Sequence, residues 1–137
     1  ALLPYMIKTN YGRVINIIST SVKQPIIGLG VSNTIRAAVA AWSKTLSLEI
    51  RNDGITINNV LPGFTNTSRL NEIIKSKSEN SGLSIDDIKM DLKNEVPLNR
   101  FAEPQEIAKL ILYLSSKDAG YINGVSIPID GGRLKTI

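Results

Sequence analysis

Three pieces of the sequence decide the fold: Arg13-Val-Ile-Asn-Ile-Ile-Ser-Thr-Ser21, Ser32-Asn-Thr-Ile-Arg36 and Asn58-Asn-Val-Leu-Pro-Gly-Phe-Thr-Asn-Thr67. The first is rich in Val and Ile without strict polar alternation, a pattern typical of a strand buried on both faces of a parallel sheet. The second opens a long helix, and the third carries a second strand into a Pro-Gly turn. Strands that alternate with helices in this way predict a parallel sheet with right-handed crossovers.

Periodicity and turn residues place the other elements. Residues 1–9 read as the end of a helix, with Gly12 as its left-handed cap. Pro128 favours an edge or terminal position for the last strand, and Ser84 is a suitable N-cap. We predict a loop over 22–31, helices over 33–51, 68–77, 85–94 and from Pro104 onward, and strands over 13–19, 55–60 and 125–129.

The long helix over 33–51, which Asp53-Gly54 should end, has apolar residues on more than one side. One set follows the 3.6-residue period, and small residues extend the apolar surface around the other side. Such a helix is often covered twice, so we expect the sheet on one side and a second subunit on the other. The periodic set is Ile35, Ala38, Val39, Trp42 and Leu46, and the small residues are Ala37, Ala40 and Ala41.

Composition excludes several classes of function. The sequence has no Cys and no His, which excludes disulfides, thiolate or imidazole metal sites and a Ser-His-Asp triad within this chain. The net charge of +4 is dispersed, with no basic block interleaved with aromatic residues, so nucleic-acid binding has no support. No apolar run approaches the roughly 18 residues that indicate a membrane span. We therefore expect a small-molecule partner and no metal.

The motifs together resemble the catalytic half of the short-chain dehydrogenase/reductase family. Ser19 stands at the end of a strand, Ser32 follows it by 13 residues, and Arg36 lies one helical turn further on. Ordinary members have Tyr and Lys at the last two positions. The Ser-x-x-x-Arg form is similar to a divergent branch described as 3-oxoacyl-carrier-protein-reductase-like. Two later motifs extend the resemblance over essentially the whole chain: Leu98-x-Arg100-Phe101-x-x-Pro104-x-Glu106-Ile-Ala108 and Tyr121-Ile-x-Gly124…Asp130-Gly-Gly132.

The resemblance implies one portion of a Rossmann-like, doubly wound parallel sheet, with about three strands and flanking helices. Family members begin with a glycine-rich phosphate loop, and nothing in these 137 residues matches it. Three strands also leave a sheet edge unsatisfied. We therefore expect residues 1–137 to be the C-terminal half of one domain, with the nucleotide-binding half outside this chain; a natural small domain is the alternative. The polar segment 66–97 should form a helical lid over the substrate.

The resemblance also implies catalytic roles for Ser19, Ser32 and Arg36. In the family, the Ser and the Tyr contact the carbonyl oxygen, the Tyr protonates it, and the Lys holds the nicotinamide ribose. Residues i and i+4 share one face of a helix, so Ser32 and Arg36 should face the same cleft. A Ser hydroxyl is a far weaker acid than a phenol, whose pKa is about 10. A structural reading of Ser32 as a helix N-cap therefore stays open.

Four further residues are implied in cofactor binding, besides Arg36. Pro62-Gly63 forms the turn beside the nicotinamide, the backbone N–H of Thr65 meets the carboxamide, and the Thr67 hydroxyl contacts the carboxamide or the pyrophosphate. The cofactor is NAD or NADP, and the residues that discriminate them follow the second strand of the other half.

Two functions follow. One is an NAD(P)-dependent oxidoreductase acting on a carbonyl or alcohol, 3-oxoacyl-reductase-like, with an altered catalytic acid. The other is a catalytically impaired binding or assembly protein that keeps the fold. The family analogy further implies a cytoplasmic homo-oligomer, either a dimer or a tetramer.

Overall fold

The computed structural model describes residues 2–51 and 54–136, which contain a three-stranded parallel sheet with strand order β1-β2-β3. The predicted α/β class with about three parallel strands is confirmed. The strands are β1 (Gly12–Ile17), β2 (Ile55–Pro62) and β3 (Ser126–Ile129), and the helices are α1 (Leu3–Thr9), α2 (Gly30–Glu49), α3 (Ser68–Ser81), α4 (Ile85–Asn94) and α5 (Pro104–Ser115), with a 3₁₀ turn at Thr20–Val22.

The central strand is β2, and it alone is buried on both faces. All residues from Ile55 to Leu61 are buried, because β2 has a neighbouring strand along each of its edges and a helix on each of its faces. The prediction of full burial for β1 is wrong, since β1 lies at the edge of the described sheet and Ile17 is exposed. Pro128 lies in the other edge strand, as predicted, where its missing N–H costs no ladder hydrogen bond.

Helices α5 and α2 cover opposite faces of the sheet. Ile15, Val60 and Ile127 point to the α5 face and pack in one apolar cluster with Ile107 and Leu114. Successive strand residues alternate between faces. A polar row therefore lies on the α2 face: Asn16 donates to the Ser43 and Asn59 side chains at 2.8 and 3.1 Å, and Asn59 donates to Ser126 at 3.0 Å.

Helix α2 differs from the prediction at both ends and in its orientation. It begins at Gly30 rather than at residue 33 and ends at Glu49, while Asp53 lies outside the described residues. Its buried residues are Ser43 and Ser47, not the predicted apolar stripe. At 3.6 residues per turn, that stripe is rotated roughly 100° from the sheet-facing side, which leaves Trp42 53% exposed.

The cap of α1 is Asn10, so the prediction of Gly12 as the cap is wrong. Asn10 has φ 49° and ψ 35°, and its N–H bonds back to the carbonyls of Met6 and Ile7. Asn is one of the few residues that adopt this left-handed conformation readily. Gly12 instead opens β1, where a Cβ would come within 2.8 Å of the Met6 sulfur.

The segment between β2 and α5 has an apolar cluster of its own. Helices α3 and α4 bury Leu70, Ile74, Ile88 and Leu92, with Phe64 and Phe101 packed alongside. Ser84 caps α4 as predicted, accepting from the Asp87 N–H at 3.1 Å. Helix α3 runs four residues beyond its predicted end, and Gly82 caps it with φ 74°. In the described part of the chain, no helix has the length and apolarity needed to cross a membrane.

Candidate active site

The carboxyl ends of the three parallel strands lie along one border of the sheet, here called the site edge. The predicted site residues follow these strand ends. Ser19 comes two residues after β1, and Pro62 ends β2. The Ile18 N–H bonds to the Val60 carbonyl at 2.9 Å, so the two strands stay paired up to the site. In open α/β sheets this edge is where ligands bind.

Ser32 and Arg36 are brought together on the sheet-facing side of α2. The Arg36 Nε–H donates to the Ser32 Oγ at 3.1 Å, and Arg36 Nη1 donates to the main-chain carbonyl of Ile18. The N-cap reading of Ser32 is wrong, because α2 begins at Gly30 and its N-cap, Leu29, makes no side-chain capping bond. Arg36 therefore joins the start of α2 to the end of β1.

The donors of this pair are only partly used. A guanidinium carries five N–H groups, and Arg36 uses one on Nε and one on Nη1. Within residues 2–51 and 54–136, nothing accepts a hydrogen bond from the other three, and no carboxylate pairs with Arg36. The Ser32 Oγ accepts from Arg36, so its own proton is free to be donated. Both side chains are half-buried.

Ser19 makes no hydrogen bond to Ser32 or Arg36 in the described residues. Its Oγ accepts from the Ser21 N–H at 3.1 Å and caps the 3₁₀ turn. The adjoining Ile18 carbonyl is the one that Arg36 holds. The Ser21 hydroxyl is buried and has no hydrogen-bond partner among the described residues.

The turn after β2 packs against the end of β3 rather than against Ser19 or Arg36. The Gly63 N–H bonds to the Ile129 carbonyl at 3.0 Å, and a Cβ on Gly63 would come within 2.8 Å of Asp130. The Thr65 N–H has no acceptor in the described residues. The Thr67 hydroxyl is occupied, since it caps α3 and donates to the Thr65 carbonyl at 3.3 Å.

A wide groove, here called the β1–α2 groove, lies between the end of β1 and the start of α2. It encloses about 830 Å³, and Ser32 and Arg36 lie in its wall. The rest of the wall is apolar side chains and glycine backbone, chiefly Ile17, Leu29, Val31, Ile35 and Val39. Sequence reasoning missed this groove, because it assigned Ile35 and Val39 to a covered helix stripe.

The other half of the same edge is closed by paired charges. Arg100 makes two 2.7 Å hydrogen bonds to Glu106, and Arg133 binds Glu95 at 2.7 Å while its guanidinium lies 4.2 Å from the centre of the Phe64 ring. The hydrogen bond from Arg100 lowers the pKa of Glu106 to about 2. The contact between Glu95 and Arg133 was not predicted, because these residues are 38 positions apart in sequence.

Comparison with known proteins shows the family to which the chain belongs. The family model described as enoyl-(acyl carrier protein) reductase matches residues 1–133. The chain is 35% identical over 132 residues to the 3-oxoacyl-[acyl-carrier-protein] reductase FabG of Haemophilus influenzae and 30% identical over 132 residues to the NADPH-dependent reductase BacG of Bacillus subtilis. These matches cover 96% of this chain, and 50% of FabG and 51% of BacG.

Solved structures give the same result. L-sorbose reductase of Gluconobacter frateurii, crystallised with NADPH and L-sorbose, superposes with a TM-score of 0.90 at 31% identity, over 99% of this chain and 52% of that one. YwfH, an NADPH-dependent reductase involved in bacilysin biosynthesis, superposes at 0.91 with 28% identity, over 98% and 52%. The chain belongs to the short-chain dehydrogenase/reductase family, and its fold is a portion of their Rossmann-type fold. It spans about half the length of the curated relatives that it matches.

Proposed function

We propose that the chain forms the substrate-reducing half of an NAD(P)-dependent oxidoreductase that acts on a carbonyl or alcohol and is 3-oxoacyl-reductase-like. The observation that carries this proposal is the Ser32–Arg36 pair, tied to the end of β1 beside Ser19 and holding unused donors in an open groove. Several relatives are named as 3-oxoacyl-carrier-protein or NADPH-dependent reductases, which supports the same reaction class.

Each of three residues has its own catalytic role: Ser19, Ser32 and Arg36. Ser19 and Ser32 donate hydrogen bonds to the carbonyl oxygen of the substrate. The bond from the Arg36 guanidinium polarises the Ser32 hydroxyl, and Ser32 passes its proton to the developing alkoxide and recovers one from solvent. The acid is altered, because a hydroxyl replaces the phenol of ordinary members and relies on Arg36 for polarisation.

The residues present fit a nicotinamide cofactor. Arg36 has three N–H groups for the ribose, and the Thr65 N–H faces no acceptor in the described chain, as a carboxamide contact requires. Pro62 and Gly63 hold that backbone against Asp130. Thr67 keeps accepting the Leu70 N–H in its α3 cap, and its hydroxyl proton turns from the Thr65 carbonyl to the cofactor. When bound, NADH or NADPH supplies the hydride that reaches the carbonyl carbon.

The rest of the assembly belongs to the same proposal. Segment 66–97 is a lid over the substrate, and a nucleotide-binding half outside these 137 residues covers the edge of β1. The exposed face of α2, with Trp42 at its centre, packs against another copy in a dimer or tetramer. The proposed location is cytoplasmic, on the family analogy.

Titration and turnover of the full-length protein test the proposal. We expect quenching or enhancement of NADPH fluorescence on binding, and NADPH oxidation with part of a panel of ketones and aldehydes. Ser32→Tyr should raise the turnover number by restoring a phenol acid. Cofactor binding without turnover in both proteins would favour the alternative, an impaired binding or assembly protein. Absence of both binding and turnover would overturn the oxidoreductase.

A further inference from the structure

A second cleft, here called the α3–α5 cleft, lies where α4 meets the start of α3 and the segment that leads into α5. It encloses about 400 Å³. Three cationic side chains line it, Lys89, Lys93 and Arg100, against one carboxylate among the described lining, that of Glu103. No described lining residue of this cleft belongs to the catalytic or cofactor site proposed above, and none comes from β1 or α2. The cleft is therefore a separate feature of the chain, with an excess of positive charge.

Two lysines of this cleft stand one turn apart on α4. Lys89 and Lys93 therefore share one face of the helix, and both are half-buried. Like charges at this spacing repel each other and destabilise a helix. Within residues 2–51 and 54–136, the Lys93 ammonium forms no ion pair and donates no hydrogen bond. Lys89 has only the exposed Asp86 carboxylate at 3.9 Å, which is too far for a hydrogen bond. Two ammonium groups, with three N–H donors each, therefore lack a close partner in the described chain.

The remaining charges of the cleft already have partners. The Arg100 guanidinium makes two 2.7 Å hydrogen bonds to the two carboxylate oxygens of Glu106. The Glu103 carboxylate accepts a hydrogen bond from the Asn66 amide at 3.2 Å. The positive charge that is left without a partner in the described residues therefore belongs to the two lysines of α4.

The free donors of the cleft suit a tetrahedral anion. The Asn71 side-chain amide also has no hydrogen-bond partner in the part of the chain that the structure describes. A carboxylate is planar and pairs best with the fork of an arginine, but Glu106 already takes that fork here. Lysine instead binds phosphate as a compact point charge with freely turning donors. Two ammonium groups and an amide, which reach one cleft from two helices, match the several acceptor oxygens of a phosphate.

We propose that the α3–α5 cleft binds a phosphate group through Lys89, Lys93 and the Asn71 amide. This inference goes beyond the proposed function and does not rest on it. The Lys93 Nζ lies 5.7 Å from the centre of the Phe101 ring, so a bound phosphate would connect α4 to the segment that leads into α5. The cleft is larger than a phosphate and has this ring in its wall. Free phosphate and an organic phosphomonoester are therefore two sources of the same group.

The experiment measures the binding of inorganic phosphate and of phenyl phosphate to the full-length protein by calorimetry, at constant ionic strength. We expect both probes to bind. Lys89→Gln and Lys93→Gln should each weaken phosphate binding at least about tenfold, because each removes a charge-assisted hydrogen bond. Lys75→Gln is the matched control, since it removes the same charge from an exposed pair on α3 and should leave the affinity unchanged.

Two further variants guard against a loss of folding. Lys93→Met removes the charge and keeps a long side chain against Phe101, so it should stay folded and lose phosphate affinity to the same extent. Glu103→Gln removes the described carboxylate of the cleft and keeps an acceptor for Asn66, so it should tighten phosphate binding. Thermal melting gives a second readout. Phosphate should raise the melting temperature of the unmodified protein and of Lys75→Gln, but not that of Lys93→Met.

Each outcome decides the proposal. Tighter binding of phenyl phosphate than of inorganic phosphate would identify an organic phosphomonoester as the ligand, and equal binding would identify free phosphate; both support the site. Absence of phosphate binding would mean that the lysines have another partner in the full-length protein, and would overturn it. Binding that survives Lys89→Gln and Lys93→Met would place the anion elsewhere and would also overturn it. An equal loss in Lys75→Gln would reduce the effect to the overall charge, with the same consequence.

Discussion

The arginines in the two halves of the site edge have different hydrogen-bond partners. Around the turn after β2, Arg100 and Arg133 are both bound to carboxylates, and Phe64 and Phe101 fill the space beneath. Around the end of β1, Arg36 has no carboxylate partner among residues 2–51 and 54–136, and apolar side chains stand exposed beside it. Both regions contain a guanidinium and aromatic or aliphatic walls. The difference favours a structural role for the first region and leaves the second as the candidate cofactor-binding region.

The region around the turn after β2 should lose the most stability when its apolar core is truncated. Ile74 is 1% exposed in the α3–α4 cluster, so Ile74→Ala should lower the free energy of unfolding by about 2–5 kcal/mol. Urea unfolding measures this loss, and hydrogen exchange tells whether α3 and α4 open before the sheet. Met90→Ala, at an exposed position on α4, is the matched control and should change little. An equal effect at both positions would contradict the existence of a separate core there.

Substitutions around the end of β1 should change ligand binding more than the stability of the fold. Arg36→Gln removes charge-assisted hydrogen bonds to the proposed ribose, so NADPH affinity of the full-length protein should fall about 10- to 100-fold. Fluorescence titration measures the dissociation constant. Lys109→Gln should bind NADPH like the unmodified protein, because Lys109 is exposed on α5, which covers the other face of the sheet. Unchanged affinity in Arg36→Gln would remove Arg36 from the cofactor site.

The ion pair between Glu95 and Arg133 should contribute moderately to the free energy of unfolding. Glu95→Gln leaves a guanidinium whose side chain is only 16% exposed without its carboxylate, although its contact with Phe64 persists. We expect a loss of about 1 kcal/mol in the free energy of unfolding. Glu72→Gln, in a far more exposed pair, should lose less than about half of that. Equal losses would mean that the Arg133 contact is no stronger than an ordinary surface pair.

The smallest effect should come from Glu106 and depend on pH. Its pKa is lowered from 4.5 to about 2, first by the hydrogen bond from Arg100 and then by the bond from the Glu103 N–H. A lowered carboxyl pKa contributes stability above pH 4.5, and this contribution is lost as the pH falls through about 2. Thermal melting should therefore show Glu106→Gln less stable near neutral pH, with the gap closing between these values. A gap independent of pH would contradict the pKa.

Local patterns predicted the framework well. The Val and Ile runs located the strands, Pro104 marked the first turn of α5, and the 13-residue spacing from Ser19 to Ser32 indicated the family. The pairing of Ser32 with Arg36 follows from the helical repeat, since residues four apart share a face. These features depend on neighbours in sequence, which is why they could be read without coordinates.

Long-range geometry could not be predicted in this way. The hydrophobic period of α2 indicated an apolar inner face, but Ser43 faces the sheet because Asn16 lies opposite it on β1. The N-cap reading of Ser32 failed because the helix starts two residues before it at a glycine. The hydrogen bond from Arg36 to the Ile18 carbonyl joins residues 18 positions apart. It could be found only from the three-dimensional arrangement of α2 and the paired strands.

A crystal structure of the full-length protein with NADPH tests the central claim most directly. The account predicts that the unused Arg36 N–H groups lie within hydrogen-bond distance of the nicotinamide ribose, with the Thr65 N–H on the carboxamide and the reactive carbon facing Ser19 and Ser32. A nicotinamide bound elsewhere, with Arg36 still holding only Ser32 and the Ile18 carbonyl, would contradict it.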